Sequence, residues 1–173
     1  MKRVAVFAAA LGCFASACTG SPSSPSQPKP TFSALLQTSN ENPPITGAEA
    51  TGSGNSTITF DITRDSSGNI TAAKATFVVN LSGFPPGTPI RIAHIHTGAA
   101  GVNGAVVIDT GLTPGDGLTL SNGGGSFTRT VDVPSTGFAI VNQILGAPSA
   151  FYFNAHTLIN PGGVVRGQLD RVQ

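Results

Sequence analysis

The chain has 173 residues, enough for one folded domain, and only 10% of them are charged, with a formal net charge of +1. Its basic residues form no stripe and do not interleave with aromatic side chains, so nucleic acid is not an expected partner.

The first seventeen residues have the pattern of a secretory signal peptide. The basic start MKR precedes the apolar run VAVFAAALGCFA and the small residues ASA. An amphipathic or buried helix is the alternative interpretation, but the order of these three parts favours export. Cys18 follows as the cysteine of an ending that resembles a bacterial lipobox. We therefore expect residues 1–17 to be cleaved and Cys18 to be lipidated.

A lipid on Cys18 would attach the protein to a membrane surface without spanning the bilayer. Thr19, rather than Asp, follows the cysteine, which resembles the default outer-membrane sorting signal of lipoproteins in diderm bacteria. Cys13 lies in the segment expected to be removed, so no disulfide is expected in the mature chain. Residues 18–30 include the Pro/Ser-rich TGSPSSPSQPKP and predict an extended tether at the cell envelope.

Residues 31–173 predict an all-β domain, because Thr, Val and Ile alternate with polar residues between Gly- and Pro-rich breaks. Strands are predicted, in chain order, in TFSALL, NSTITFDITRD, ITAAKATFVVNLSG, IRIAHIH, AVVIDTGL, LTL, SFTRTVDV, AFYFNAHT and GVVRGQL. The spacing of Phe138, Val141, Ile144 and Leu145 predicts one short helix near 138–145. Together these elements predict an antiparallel, Greek-key-like sandwich or barrel of about eight or nine strands.

All three histidines fall on two of these strands. Alternate side chains share a face, so His94 and His96 project together, and His156 projects with Tyr152 and Asn154. Two imidazoles at i and i+2 can reach one metal ion, and a third from a neighbouring strand would leave a fourth position open. The pattern predicts one copper or zinc ion held by His94, His96 and His156.

The alternative interpretation gives the three imidazoles a structural role, in which they bond the backbones of TGAAGVNG and NPGG and fix those turns. Under the metal interpretation, Asp109 and Asp116 are candidate fourth ligands. Four further polar residues are expected to support the histidines or fix loops: Asn154, Asn160, Arg166 and Gln168. Arg166 is expected to pack and pair across the sheet, with Glu41 or Asp170, rather than bind a ligand.

Catalytic patterns are absent from the sequence. There is no Gly-x-Ser-x-Gly and no obvious carboxylate pair, and GAAGVNG lacks the lysine and the following helix of a phosphate loop. An enzyme is therefore not the leading expectation.

Three stretches, NENPP, AHIHTGAAGVNGAVV and FYFNAHTLINPGGVVRGQL, together resemble the CHRD domain, named for its occurrence in chordin. The resemblance runs from Phe32 to Leu169 and implies a β-sandwich-like, extracytoplasmic module. Asn42 stands where the family usually has Val, and Val164-Val165 stand where it usually has Glu-Ile. The stretch SGFPPGTPIRIAHIH is also similar to the His-x-His region of copper/zinc superoxide dismutase, but three histidines could form only a single-metal site.

The leading functional expectation is a non-enzymatic, lipid-anchored module that presents its loops to a protein or glycan at the cell envelope. The alternative is a mononuclear copper or zinc protein.

Overall fold

The computed structural model describes residues 28–116 and 118–173, which form one α-helix, α1 (Phe138–Gly146), and ten strands. The strands are β1 (Thr31–Gln37), β2 (Ser53–Arg64), β3 (Ile70–Ser82), β4 (Thr88–Thr97), β5 (Val106–Asp109), β6 (Thr119–Leu120), β7 (Gly125–Asp132), β8 (Phe151–Thr157), β9 (Val165–Gln168) and β10 (Asp170–Arg171). The expected signal peptide, Cys18 and most of the tether lie outside the described residues.

Eight strands form one nearly closed, barrel-like sheet in the order β5-β4-β8-β9-β1-β2-β3-β7. The short strand β10 pairs with β1, and β6 pairs with β4. Every pairing in the described chain is antiparallel. The predicted all-β antiparallel fold is confirmed, and the order places β4 directly beside β8.

Period-2 alternation creates the core. On β2 and β3, every second side chain points inward, and Phe60 and Phe77 are fully buried. On β4 and β8, Ile95 and Phe153 belong to the same cluster, so one core fills the inside of the sheet. Burying such large aromatic and aliphatic side chains supplies about 1.5–3 kcal/mol each, which stabilises the curved sheet.

Helix α1 confirms the short helix that the apolar spacing predicted, and it packs against the core. Val141 and Ile144 are fully buried, and the helix ends at Gly146, before Pro148. Within the described residues, no helix has the length and apolar character needed to cross a membrane.

The structure corrects the prediction for β5 and adds one feature of β8. The predicted buried strand AVVIDTGL is only Val106–Asp109 and lies at the edge of the sheet, with Val106 exposed and Ile108 buried. All seven residues of β8 are buried, so its polar face is not turned to solvent. That polar face is covered by loops instead, and the histidines lie beneath those loops.

Candidate metal centre

The three histidines converge on the outer, loop-covered face of the β4–β8 pair. The register sets Ile92 opposite His156 and His94 opposite Asn154, which brings both strands' imidazoles to one patch. One ring nitrogen from each histidine lies within 4.8 Å of the others. Sequence reasoning placed His94, His96 and His156 on shared faces, and the sheet order makes those faces adjacent.

Backbone carbonyls fix the orientation of two of the rings. His96 Nδ1 is 3.0 Å from Gly104 O, and His156 Nδ1 is 3.0 Å from Pro161 O. A carbonyl oxygen can only accept, so each Nδ1 carries the proton and donates it, and each Nε2 keeps its lone pair. Both Nε2 atoms are buried without a hydrogen-bond partner among the described residues.

His94 differs from the other two histidines, because its unpartnered nitrogen is Nδ1 rather than Nε2. Its Nε2 lies 4.0 Å from Asp109 Oδ2, whereas its Nδ1 is buried and has no hydrogen-bond partner in the described chain. A carboxylate on one edge of an imidazole favours the proton on that edge and leaves the lone pair on the other. At 4.0 Å, Asp109 is beyond hydrogen-bond distance of His94, so it acts on the ring only through its charge.

Burial keeps the three imidazoles neutral. It lowers the pKa of His156 to about 4, with the nearby His94 and His96 adding to the effect and the Pro161 carbonyl opposing it. Burial also lowers the pKa of His94, against the charge of Asp109, and the pKa of His96, against the Gly104 hydrogen bond. Neutral imidazole is the form that binds metal ions, so the cluster is in its ligand state at neutral pH.

The cluster has the chemistry of a copper or zinc site and needs a modest contraction to form one. Ligand bonds of 2.0–2.1 Å in a tetrahedral site set nitrogen atoms about 3.3 Å apart. The widest separation here is within 4.8 Å, so the rings would have to close by up to about 1.5 Å. Three imidazoles leave one coordination position for water or another ligand.

The first covering loop, residues 98–104, is held by Arg166. This guanidinium is 1% exposed and donates to Val102 O, to Ala99 O at 3.1 Å and to Asn103 Oδ1 at 3.0 Å. The expected ion pair of Arg166 with Glu41 or Asp170 is not among the ion pairs of the described residues. Arg166 instead anchors the loop whose Gly104 carbonyl orients His96.

Tyr152 links the first covering loop to His96. The sequence alone placed Tyr152 on the strand face of His156 and gave it no further role. Its ring is stacked on His96, and the Arg166 guanidinium carbon lies 3.4 Å from its centroid. Its hydroxyl accepts a hydrogen bond from Gly104 N at 3.2 Å. The only sequence signal was the alternation that sets Tyr152 on the face of His156.

Gln168 holds the start of the same loop. Its amide nitrogen lies 2.9 Å from Gly98 O and 2.8 Å from Ser149 O, so it joins the loop to the segment that precedes β8.

The second covering loop, residues 158–163, is held by Glu49. Its Oε2 accepts hydrogen bonds from Thr157 Oγ1 and Asn160 Nδ2, both at 2.6 Å. Glu49 is 1% exposed, although it lies more than one hundred residues before its partners. This clamp fixes the turn that presents the Pro161 carbonyl to His156. Sequence reasoning missed Glu49, because no local pattern links the segment around it to the hairpin.

Glu41 and Asn154 form a buried polar contact beside the centre. Burial raises the pKa of Glu41 to about 7, although Arg166 and the Asn154 side chain both act to lower it. Glu41 Oε1 and Asn154 Oδ1 have no hydrogen-bond partner among the described residues. A Cβ on Gly163 would lie 2.8 Å from each of these two oxygens, so only glycine allows the backbone to pass there.

Asp116, the other candidate fourth ligand, is engaged elsewhere. Its carboxylate pairs with Arg129 at 2.8 Å and accepts hydrogen bonds from the backbone and hydroxyl of Thr113. Neither Asp116 nor Asp109 belongs to the cluster of mutually close ligand atoms found among the described residues.

Fold and site together define a small antiparallel β-domain with a buried three-histidine cluster beneath two clamped loops. The CHRD domain profile matches residues 32–169, so the chain belongs to the CHRD domain family. This confirms the resemblance seen in the sequence. A comparison with curated proteins finds none that matches the chain.

Proposed function

We propose that this CHRD domain binds one copper or zinc ion through His94, His96 and His156. Two observations carry the proposal: one ring nitrogen from each histidine lies within 4.8 Å of the others, and each ring has one buried nitrogen without a hydrogen-bond partner among the described residues, namely His94 Nδ1, His96 Nε2 and His156 Nε2. A metal ion can accept a lone pair from each of the three rings at once, whereas one water molecule can donate to only two of them.

A purely structural role explains the carbonyl contacts of His96 and His156, but it does not explain the buried nitrogen without a partner on each of the three rings. The hydrogen bonds to Gly104 O and Pro161 O account for the Nδ1 atoms of His96 and His156. They leave one buried nitrogen on each ring with no partner among the described residues, and a buried acceptor that stays unsatisfied costs about 1–3 kcal/mol. Carbonyl partners on the far edge of a ligand imidazole are the usual support of a metal site. The arrangement therefore favours the metal interpretation over loop fixing alone.

The proposed role is metal binding at the cell envelope rather than a defined reaction. The open fourth position would let the ion exchange ligands with a partner or a small molecule. The signal-like residues 1–17 and Cys18 support export and lipid anchoring, and the placement of the domain at the envelope depends on that sequence pattern alone.

Isothermal titration with Cu²⁺ and Zn²⁺, with metal content measured by mass spectrometry, tests the proposal. The full chain without a polyhistidine tag, carrying Cys18→Ser to prevent lipidation, should bind close to one ion. His96→Phe should abolish binding, whereas Asp116→Asn, which changes an engaged carboxylate outside the cluster, should bind normally. Absence of binding to the parent chain, or equal binding by His96→Phe, would contradict the proposal.

A second candidate, ligand binding by the surface, is favoured by an open groove of about 660 Å³. Seven of its eleven lining residues have polar side chains, including Ser39, Asn42, Gln168 and Asp170. Such a groove suits a polar extended ligand, a short glycan or a peptide. A glycan and peptide array probed with the parent chain and Asp170→Ala tests this, and binding that does not depend on Asp170 would count against the groove.

A further inference from the structure

The candidate metal centre offers an ion three nitrogen atoms and no negatively charged ligand. Among the described residues, the cluster of mutually close ligand atoms consists of His94, His96 and His156, and no carboxylate belongs to it. Asp109 lies 4.0 Å from His94 Nε2, whereas the unpartnered nitrogen of that ring is Nδ1. The Asp109 side chain is also 61% exposed, so solvent screens its charge. The ligands themselves would therefore leave the charge of a bound ion uncompensated.

A buried cation lies close to the same cluster. The Arg166 guanidinium carbon lies 3.4 Å from the ring centroid of Tyr152, and the other partner of that ring is His96, with which it is stacked. Burial is the main cause of the lowered pKa of His96, and the positive charge of Arg166 adds to it, against the Gly104 hydrogen bond. The guanidinium therefore opposes any further positive charge at this histidine.

The cluster is closed to solvent. The unpartnered nitrogen of each ring is buried: His94 Nδ1, His96 Nε2 and His156 Nε2. The two covering loops lie over this face, and the carboxylate of Asp116 is engaged by Arg129 instead of the histidines. The described part of the chain thus supplies three ligands, and the fourth coordination position is vacant beneath the loops.

We propose that the centre selects monovalent copper, Cu⁺, over Zn²⁺, an inference that rests on the proposed metal binding by the three histidines. Cu⁺ is stable with three neutral ligands, whereas Zn²⁺ takes four. The cost of burying an ion rises with the square of its charge, so it is about four times as large for a divalent ion as for a monovalent ion of similar size. Three neutral ligands, a buried guanidinium and a closed fourth position all favour the ion of lower charge.

Competition titrations on the full, untagged chain test the selectivity. The chain carries Cys13→Ser and Cys18→Ser, because thiolates bind Cu⁺ tightly. Bicinchoninate competes for Cu⁺ under ascorbate and without oxygen, and a chromogenic chelator competes for Zn²⁺ in a separate titration. We expect the affinity for Cu⁺ to exceed that for Zn²⁺ by about 100-fold or more, and His96→Phe should lose both ions. The X-ray absorption edge of the bound copper should be that of a three-coordinate Cu⁺ ion.

Asp109→Asn gives a second readout, which depends on the charge of the ion rather than on the fold. Coulomb energy is proportional to that charge, so the logarithm of the affinity loss should be about twice as large for Zn²⁺ as for Cu⁺. Asp132→Asn is the matched control and should change neither affinity, because this exposed carboxylate pairs with Lys74 between β7 and β3.

An affinity for Zn²⁺ equal to or above that for Cu⁺ would overturn the inference and keep the proposed function. Equal effects of Asp109→Asn on the two ions, or an absorption edge typical of four-coordinate copper, would also count against the inference alone. Binding of neither ion, or binding that survives His96→Phe, would remove the proposed function and the inference with it.

Discussion

Tyr152 lies parallel to His96, with ring centroids 4.8 Å apart and an interplanar angle of 6°. The Arg166 guanidinium lies over the same tyrosine, so the three side chains form a layered stack from β4 through β8 to β9. The stack joins a candidate metal ligand to the arginine that anchors its covering loop. Disturbing the stack should therefore affect both domain stability and metal affinity.

Tyr152→Phe should keep the stack and remove one hydrogen bond. The lost hydroxyl accepts from Gly104 N, and the carbonyl of Gly104 orients His96. We expect a loss of about 1 kcal/mol in the free energy of unfolding and up to about tenfold in metal affinity. Urea denaturation and metal titration measure the two effects. An unchanged metal affinity would show that the hydroxyl does not help to position the ligand.

Arg166→Lys should destabilise the domain, although it preserves the charge. An ammonium group cannot reproduce the planar fork that meets Ala99 O, Val102 O and Asn103 Oδ1. Because buried acceptors are then left unsatisfied, the free energy of unfolding should fall by about 2–4 kcal/mol.

Arg64→Lys is the control for this substitution. Arg64 is exposed, so the free energy of unfolding should change by no more than about 0.5 kcal/mol. Similar losses in the Arg166 and Arg64 variants would contradict the role given to the buried arginine.

Glu41→Gln should change how stability depends on pH. The folded-state pKa of Glu41 is raised from 4.5 to about 7, so its contribution is fully present below pH 4.5 and is lost as pH rises through 7. This loss can reach about 3 kcal/mol in the parent chain and is absent from Glu41→Gln. The histidines titrate in both proteins and cancel in the difference between the two unfolding curves. A difference that stays constant from pH 5 to 8 would contradict the raised pKa.

Metal affinity should vary little between pH 8 and pH 6, because the pKa of each of the three imidazoles is lowered by burial. Three imidazoles with ordinary pKa values near 6.5 would lose about 70-fold in affinity over that range through proton competition. Zinc competition titrations at several pH values measure the dependence. A steep fall already at pH 6 would show that the histidines are solvated rather than buried.

The fold was largely predictable because its signals are local. Alternation on β2, β3, β4 and β8, and the helical spacing of Phe138, Val141 and Ile144, each act within one element. The shortening of β5 was not predictable, because the edge position that limits its pairing is set by the order of the whole sheet.

The clustering of the three histidines was predictable from the sequence, but the residues that hold the covering loops were not. Strand periodicity placed the three histidines on common faces, and the adjacency of β4 and β8 brought them together. The side chains that hold the covering loops connect segments that are far apart in sequence. Arg166 donates hydrogen bonds to residues 99–103, and Glu49 accepts hydrogen bonds from Thr157 and Asn160. Such contacts arise from loop placement over the sheet, for which no local pattern exists.

The most direct measurement is the anomalous diffraction map of crystals grown from the zinc- or copper-loaded chain. The account predicts one strong peak about 2.0–2.1 Å from one nitrogen each of His94, His96 and His156, with both carbonyl contacts to the Nδ1 atoms of His96 and His156 intact. A peak bound elsewhere on the chain, or three imidazoles that bond ordered water with no metal between them in loaded crystals, would contradict the metal centre.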